Sequence, residues 1–204
     1  MVRTAVLVSG GGRNLQAIID SRLFGEIPNC DLCAVISSSP EAYALTRAAA
    51  ANIDSYVVDR EMFPNDHSWG DAIFHKLKDL DIDLVVLAGF APMLPESAIK
   101  YYKNRIINVW PSLLPAFPGP MDPHAAAIEA GVKLSGATAY FVGEGHSCGS
   151  IILQQAVEVL QEDTPMELQQ RIMEQAEWSI LPQAVALYCA GALTVENGRV
   201  KISD

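Results

Sequence analysis

Thr4-Ala5-Val6-Leu7-Val8-Ser9 runs directly into Gly10-Gly11-Gly12-Arg13-Asn14, after which Leu15, Ile18 and Ile19 recur at helical spacing. A short apolar run, a glycine turn and a 3.6-residue period read as a buried strand, a tight turn and a helix. The alternation continues downstream. Leu32 to Ile36 reads as a second strand, followed by a helix from about Pro40 to Ala51. Ser55 to Val58 is a third strand, and Trp69 to Leu80 a third helix. Leu84-Val85-Val86-Leu87-Ala88 is apolar throughout, as a central strand buried on both faces must be. Ile106 to Val109 makes a fifth. This pattern predicts an α/β fold, a parallel sheet covered by helices. Residues 1–110 form its Rossmann-like half, within one domain spanning 1–204.

Past residue 110 the texture changes. Pro111, Pro115, Pro118, Pro120 and Pro123 exclude regular helix and central strand from this segment. Ala137 to Val142 and Ile151 to Val157 read as two more strands. Thr164-Pro165-Met166-Glu167 is a capping box with proline in the first helical position, so a long helix begins there. Pro182 is expected to kink or divide it. The last strand is expected near Gly198 to Ile202.

Composition narrows the functional classes. The chain has 204 residues, half of them apolar, which excludes general disorder. Fourteen Lys and Arg against 24 Asp and Glu give a net charge of −10, unsuited to wrapping nucleic acid. A small anionic ligand remains compatible, because one arginine or helix start can hold a phosphate. No apolar run reaches about 18 residues, so no membrane span is expected. Met1-Val2-Arg3-Thr4 enters the first strand without a signal-peptide pattern. Cys30, Cys33, Cys148 and Cys189 are few and irregularly placed. They suit a reduced, cytoplasmic protein rather than a disulfide framework.

Three segments carry candidate chemistry. Ser9 to Leu15 offers a close backbone approach and free N–H groups at a helix start. It is neither GxGxxG nor followed by GK[ST], so it specifies neither a dinucleotide nor a nucleoside triphosphate. It also suits a plain tight turn, although Arg13 opposes the helix dipole unless it grips an anion. Asn108-Val109-Trp110-Pro111-Ser112 leaves a strand at its carboxyl end, where parallel sheets bind ligands. Asn108 is an uncharged donor for a carbonyl oxygen gaining charge, or else a turn cap beside a core tryptophan. Gly143-Glu144-Gly145-His146-Ser147-Cys148-Gly149-Ser150 places five functional side chains in one loop but supplies no third orienting group for a nucleophile. Cys30 and Cys33 bracket a strand start and point to opposite faces. With no second cysteine pair they suit packing, and no metal site is expected. His67 and His75 belong to a polar helix face. Glu174 and Glu177 lie one turn apart on the long helix, on a wet face or against a substrate hydroxyl or amine.

Read together, several motifs carry a family resemblance: Leu7-Val8-Ser9-Gly10-x-Gly12, Asn14-Leu15-Gln16-Ala17-Ile18-Ile19-Asp20, Val86-Leu87-Ala88-Gly89-Phe90, Asn108-x-x-Pro111-Ser112-Leu113-Leu114-Pro115, Phe117-Pro118-Gly119 and Gly149-x-Ile151-Ile152-Leu153-Gln154. Their combination and order resemble the glycinamide ribonucleotide formyltransferases, folate-dependent enzymes of purine synthesis, over almost the whole chain. The resemblance implies an α/β formyltransferase fold, a twisted, mostly parallel sheet with helices on both faces, with residues 111–204 supplying a folate loop and a C-terminal helix. It implies that Gly11, Gly12, Arg13 and Asn14 hold a ribonucleotide phosphate, and that Glu177 contacts the same substrate. Phe90, Ala91, Pro92, Met93 and Leu94, with Val142, Gly143, Glu144 and Gly145, would enclose the pterin of 10-formyltetrahydrofolate. A substrate amine would attack the formyl carbon beside Asn108.

The departures fall on the chemistry. The family's Asn-x-His-Pro-Ser is here Asn108-Val109-Trp110-Pro111-Ser112, and the family aspartate falls on Ser147. The serine after the phosphate-loop glycine is Arg13, the phosphate-binding arginine falls on Asp66, and the arginine of the folate segment falls on Pro92. Of the histidines after Pro118-Gly119 only His124 is left. An indole N–H donates one hydrogen bond but relays no proton at neutral pH. His146 or Glu144, beside Ser147, could take over that role. Two readings stay open. One is an enzyme acting on a small anionic amine with a reduced folate, its chemistry altered or weak. The other is a non-catalytic paralogue that binds a folate or nucleotide or serves as a partner subunit. Neither implies nucleic acid, membrane or metal, and the chain is a monomer or homodimer.

Overall fold

The computed structural model describes residues 1–90, 92–119, 121–146 and 148–203, with His146 described by its backbone alone. Among the described residues the main sheet holds β1 (Val2–Val8), β2 (Cys30–Ser37), β3 (Ser55–Val57), β4 (Leu84–Leu87), β5 (Ile106–Trp110), β6 (Leu134–Val142) and β7 (Cys148–Glu158) in the order β3-β2-β1-β4-β5-β6-β7. The first five strands are parallel; β6 runs antiparallel to β5, and β7 antiparallel to β6. The sheet therefore continues across residue 110 without a break. Helices α1 (Arg13–Leu23), α2 (Ala44–Ala50), α3 (Asp66–Asp79), α4 (Glu96–Tyr101), α5 (Pro123–Glu129), α6 (Pro165–Ile172) and α7 (Trp178–Cys189) connect or follow the strands. A separate hairpin, β8 (Leu193–Glu196) and β9 (Arg199–Ile202), ends the chain.

The apolar strand runs divide between two cores. Val6, Val8, Val35, Leu84, Val86, Ile107 and Val109 pack against Leu15, Ile18, Ala48, Ile172, Leu181 and Val185 on one face. Ala5, Leu7, Ala34, Ile36, Val85, Leu87 and Ile106 pack against Trp69, Ile73, Leu77, Ile99 and Tyr102 on the other. Successive strand residues feed opposite cores, which is why the strands carry no polar alternation. Cys30 joins the first core and Cys33 borders the second; all four cysteines are free thiols.

Three expectations need correction. The second helix begins at Ala44 rather than near Pro40. Proline punctuation hid α5, whose first residue is Pro123 itself, a position where the missing N–H has no intrahelical partner to lose. Pro182 lies inside α7, and the irregularity falls earlier, in a π-helical turn over Met173–Glu177 between α6 and α7. The capping box at Thr164 forms as read, with Thr164 Oγ1 accepting from the Glu167 N–H and Glu167 accepting from the Thr164 N–H.

Candidate active site

The sheet order reverses at β1, whose neighbours are β2 and β4, so a crevice opens beyond the carboxyl ends of β1, β4 and β5. A cleft of about 630 Å³ lies there, lined by Gly10, Gly11, Gly12, Arg13, Asn14, Gly89, Phe90, Asn108, Trp110, His124, Gln169, Met173 and Glu177, among others. That size holds a metabolite. The structure thus joins Gly11, Gly12, Arg13, Asn14, Phe90, Asn108, Trp110 and Glu177 in one wall. Ala91 and Ser147 lie outside the described residues, as does the side chain of His146. Met93 is exposed and Leu94 buried, both short of this wall. Val142, Gly143, Glu144 and Gly145 are also absent from the wall, but Gly145 donates its N–H to Glu96 Oε1 at 2.8 Å. That bond ties the 143–146 turn to the start of α4, just past the 90–94 segment.

The α1 N-terminus reaches the cleft bare. Gly12 is its N-cap, with φ +70°; no side chain caps the helix, and no acid occupies its first turn. A Cβ on Gly12 would stand 2.7 Å from Ala44 Cβ, so both the dihedral and the α2 contact require glycine. Arg13 is exposed and places Nη1 3.9 Å from Met173 Sδ. Arg47, which spacing alone does not mark, donates to Gly11 O at 2.8 Å and Gln16 Oε1 at 2.9 Å, bracing the glycine loop. Asp66 instead pairs with Arg60.

The π turn delivers Glu177 into the cleft. Its carboxylate is buried and accepts from Asn14 Nδ2 at 2.7 Å, while Asn14 Oδ1 is buried without a partner. Burial pushes the Glu177 carboxyl above the usual carboxylate range, against the opposing pull of the Asn14 hydrogen bond. On β5, Asn108 Nδ2 donates to its cross-strand neighbour Tyr140 at 2.9 Å. Burial raises the Tyr140 phenol's pKa, so the hydroxyl stays neutral. Trp110 Nε1 donates to Phe117 O at 3.0 Å, so the indole offers the cleft shape rather than a donor. The loop beyond is tied by Thr138, whose hydroxyl donates to Ser112 O at 2.7 Å and accepts from Leu114 N at 3.0 Å.

His124 is the wall residue that sequence motifs undervalued. Asp122, the N-cap of α5, accepts from the His124 N–H and the ring Nδ1, each at 2.9 Å, and from the Ala125 N–H at 3.3 Å. Burial pushes the Asp122 carboxyl up, but those hydrogen bonds outweigh it and hold the group below its ordinary value. The Asp122-Pro123 pair repeats the cap-then-proline signature read at Thr164-Pro165, and would have placed His124 in the first turn of a helix.

With this geometry in place, a model of the formyl transferase family matches residues 2–185. The chain belongs to the formyl transferase family. The phosphoribosylglycinamide formyltransferase of Haemophilus influenzae is 39% identical over 197 residues, covering 97% of this chain and 92% of that protein. The solved structure of glycinamide ribonucleotide transformylase 1 from Symbiobacterium toebii has a TM-score of 0.94 and 42% identity, covering 100% of this chain and 95% of the other. The trifunctional purine biosynthetic protein adenosine-3 of Drosophila melanogaster is 38% identical over 194 residues, and this chain spans 14% of its length. Membership of the formyl transferase family accounts for the mostly parallel sheet and the crevice at its reversal point. Among the described residues no cluster of His, Cys, Asp or Glu could hold a metal ion, and no helix is long and apolar enough to cross a membrane.

Proposed function

We propose that this chain transfers a formyl group from 10-formyltetrahydrofolate to the amine of glycinamide ribonucleotide, with chemistry altered at Trp110 and Ser147. The observation that carries the reading is the single cleft wall that holds a bare helix start, Asn108 and the Asn14–Glu177 pair together. Gly11, Gly12 and Arg13 hold the phosphate, since free N–H groups and one cation favour an anion there. Asn14 Oδ1 and the Glu177 carboxyl accept from the substrate's polar hydrogens, which gives the buried amide oxygen the partner it lacks.

The residues present fit a reduced folate. Phe90 stacks on Trp69 with ring centroids 5.7 Å apart, and the space at the missing Cβ of Gly89 is open, so a flat ring meets a fixed aromatic and bare backbone. Of the folate segments that the resemblance implies, Phe90 lines the cleft, and the Glu96–Gly145 bond, which holds the 143–146 turn beside the start of α4, supports a folate running on between Pro92–Leu94 and Val142–Gly145. When bound, the folate supplies the formyl group. The second N–H of the Asn108 amide stabilises charge on the formyl oxygen, a role worth a factor of about 10²–10³ in comparable sites.

Trp110 and Ser147 stand where the family resemblance sets histidine and aspartate. An unrescued loss of acid–base help and of one charge-stabilising donor, from a median of about 10 per second, would leave roughly 10⁻³ per second or less. The test is calorimetric titration with a folate analogue and, separately, with glycinamide ribonucleotide, followed by a spectrophotometric formyl-transfer assay. Binding of both, with measurable transfer, supports the reading. Binding of one or both without transfer points to a non-catalytic paralogue, and failure of both to bind overturns the proposal. Turnover well above 10⁻³ per second means that another acid–base group serves the cleft, with Glu144 and His146 of the 143–146 turn and His124 of the wall as the candidates.

A further inference from the structure

We propose that His124, oriented by Asp122, is the proton-transferring residue of this cleft; the inference rests on the formyl-transfer reading. The residue is 6% exposed, yet it belongs to the cleft lining that also holds Asn108, Trp110 and Pro111. Asp122 Oδ1 lies 2.9 Å from Nδ1 and already accepts two backbone N–H groups, so it is a fixed, ionised acceptor. A carboxylate in that position draws the ring proton onto Nδ1 and leaves a lone pair on Nε2. Nε2, the distal nitrogen, is buried and has no partner among the described residues. Buried acceptors are seldom left unpaired, because the missing bond is destabilising; an acceptor kept so at a ligand cleft implies a donor that arrives with the ligand.

The other side chains of the wall leave this role to His124. Arg13 offers N–H donors and no acceptor, and Trp110 has its one N–H on Phe117 O. Glu177 is held against Asn14, and its burial favours the protonated form, which is a poor base. In the step itself the substrate amine nitrogen bonds to the formyl carbon, and His124 Nε2 takes the proton that this nitrogen sheds. The bond from the formyl carbon to the folate nitrogen then breaks, and the imidazolium returns the same proton to that nitrogen. The imidazole ends neutral and the proton count closes. Asp122 keeps the imidazolium paired throughout, the part a carboxylate plays beside a catalytic histidine.

The experiment uses the full chain with 10-formyltetrahydrofolate and glycinamide ribonucleotide. His124→Ala is expected to lower kcat by about 10²–10⁴, with the calorimetric Kd of a folate analogue held within about threefold. Free imidazoles added to His124→Ala should restore the rate in proportion to their basicity, which refilling a cavity would not produce. Should His124→Ala fail to fold, His124→Asn keeps an amide N–H for Asp122 and carries the same comparison. The unmutated protein provides a further reading by ¹H–¹⁵N spectra of its imidazoles. An Nδ1–H tautomer whose Nε2 resonance moves on adding glycinamide ribonucleotide supports the assignment; an Nε2–H tautomer overturns it. A His124 variant with wild-type kcat, or a rescue indifferent to imidazole basicity, overturns His124 while formyl transfer stands. A wild-type chain that binds both ligands but transfers nothing overturns both.

Discussion

Thr138→Val removes one hydroxyl from a fully buried site at almost constant volume, and that hydroxyl organises the loop leaving β5. Its Oγ1 donates to Ser112 O at 2.7 Å and accepts from Leu114 N at 3.0 Å and Gln154 Nε2 at 2.9 Å. Gln154 retains a second acceptor, Leu114 O, also at 2.9 Å. The Leu114 N–H and the Ser112 carbonyl lose the partner seen here, inside a segment that is buried at both residues. A buried orphan costs about 1–3 kcal/mol, more securely for the donor than for the carbonyl. The added methyl returns about 0.8 kcal/mol of burial. With two such groups the net loss is about 1–5 kcal/mol, a fall in Tm of about 2–20 °C for a chain of this size. Urea unfolding followed by tryptophan fluorescence measures it as a lowered midpoint at unchanged slope. Thr138→Ser, which keeps the hydroxyl, should lose no more than about 1 kcal/mol. Equal stability of Thr138→Val and the wild type would show that the loop is not held through this side chain.

Gly12→Ala meets both a left-handed φ of +70° and the Ala44 Cβ at 2.7 Å; strain and overpacking together should cost about 2–4 kcal/mol in the same assay. Arg13→Ala should weaken binding of glycinamide ribonucleotide about ten- to a hundredfold by calorimetry, and unchanged affinity would make Arg13 an ordinary surface residue. Glu177→Gln should raise Tm at neutral pH and leave it unchanged in acid. The raised pKa of buried Glu177 means its contribution is full below the ordinary glutamate range and lost as pH rises through the folded value. Parallel Tm-against-pH curves would refute this. Trp110→His with Ser147→Asp, compared with each single change, should raise kcat by about 10² non-additively; no gain in the double variant would refute the idea that these two positions limit the rate.

Much of this fold could be read from apolar runs, because a strand buried on both faces leaves no other pattern. Leu84 to Leu87 and Val2 to Val8 needed only their length and their glycine ends. Proline was the unreliable signal. At Thr164-Pro165 it marked a helix start, and the same chemistry at Asp122-Pro123 was masked by the prolines before it. Pro182 suggested a break, yet α7 continues through it and the irregular turn lies at Met173–Glu177. The glycine loop and Asn108 were legible as cleft residues because strand ends fix their position. Arg47 and His124 were not, since Arg47 braces the glycine loop and His124 joins the cleft lining, each from a helix that packing, rather than local spacing, sets against the sheet.

The position of the indole bears on where proton chemistry can reside. Trp110 is the last residue of β5, and its N–H is bonded to Phe117 O, in a residue whose own φ of +50° belongs to the left-handed region. The loop between them is fixed by the Thr138 bonds and by Ser112 Oγ donating to Ala116 O at 2.6 Å. A ring anchored at both its backbone and its nitrogen does not swing aside without breaking that bond, so the volume at the end of β5 is set by an indole that transfers no proton. Asn108, one strand position pair back, is fixed in turn by Tyr140. The β5 side of the cleft therefore supplies a neutral amide and a wall. What it lacks is a group that changes its protonation state, and the chain that leaves β5 reaches Asp122 and His124, at the start of the next helix, about a dozen residues on. With an indole at the end of β5, the imidazole among the described residues that line this cleft is His124, already held by the Asp122 carboxylate.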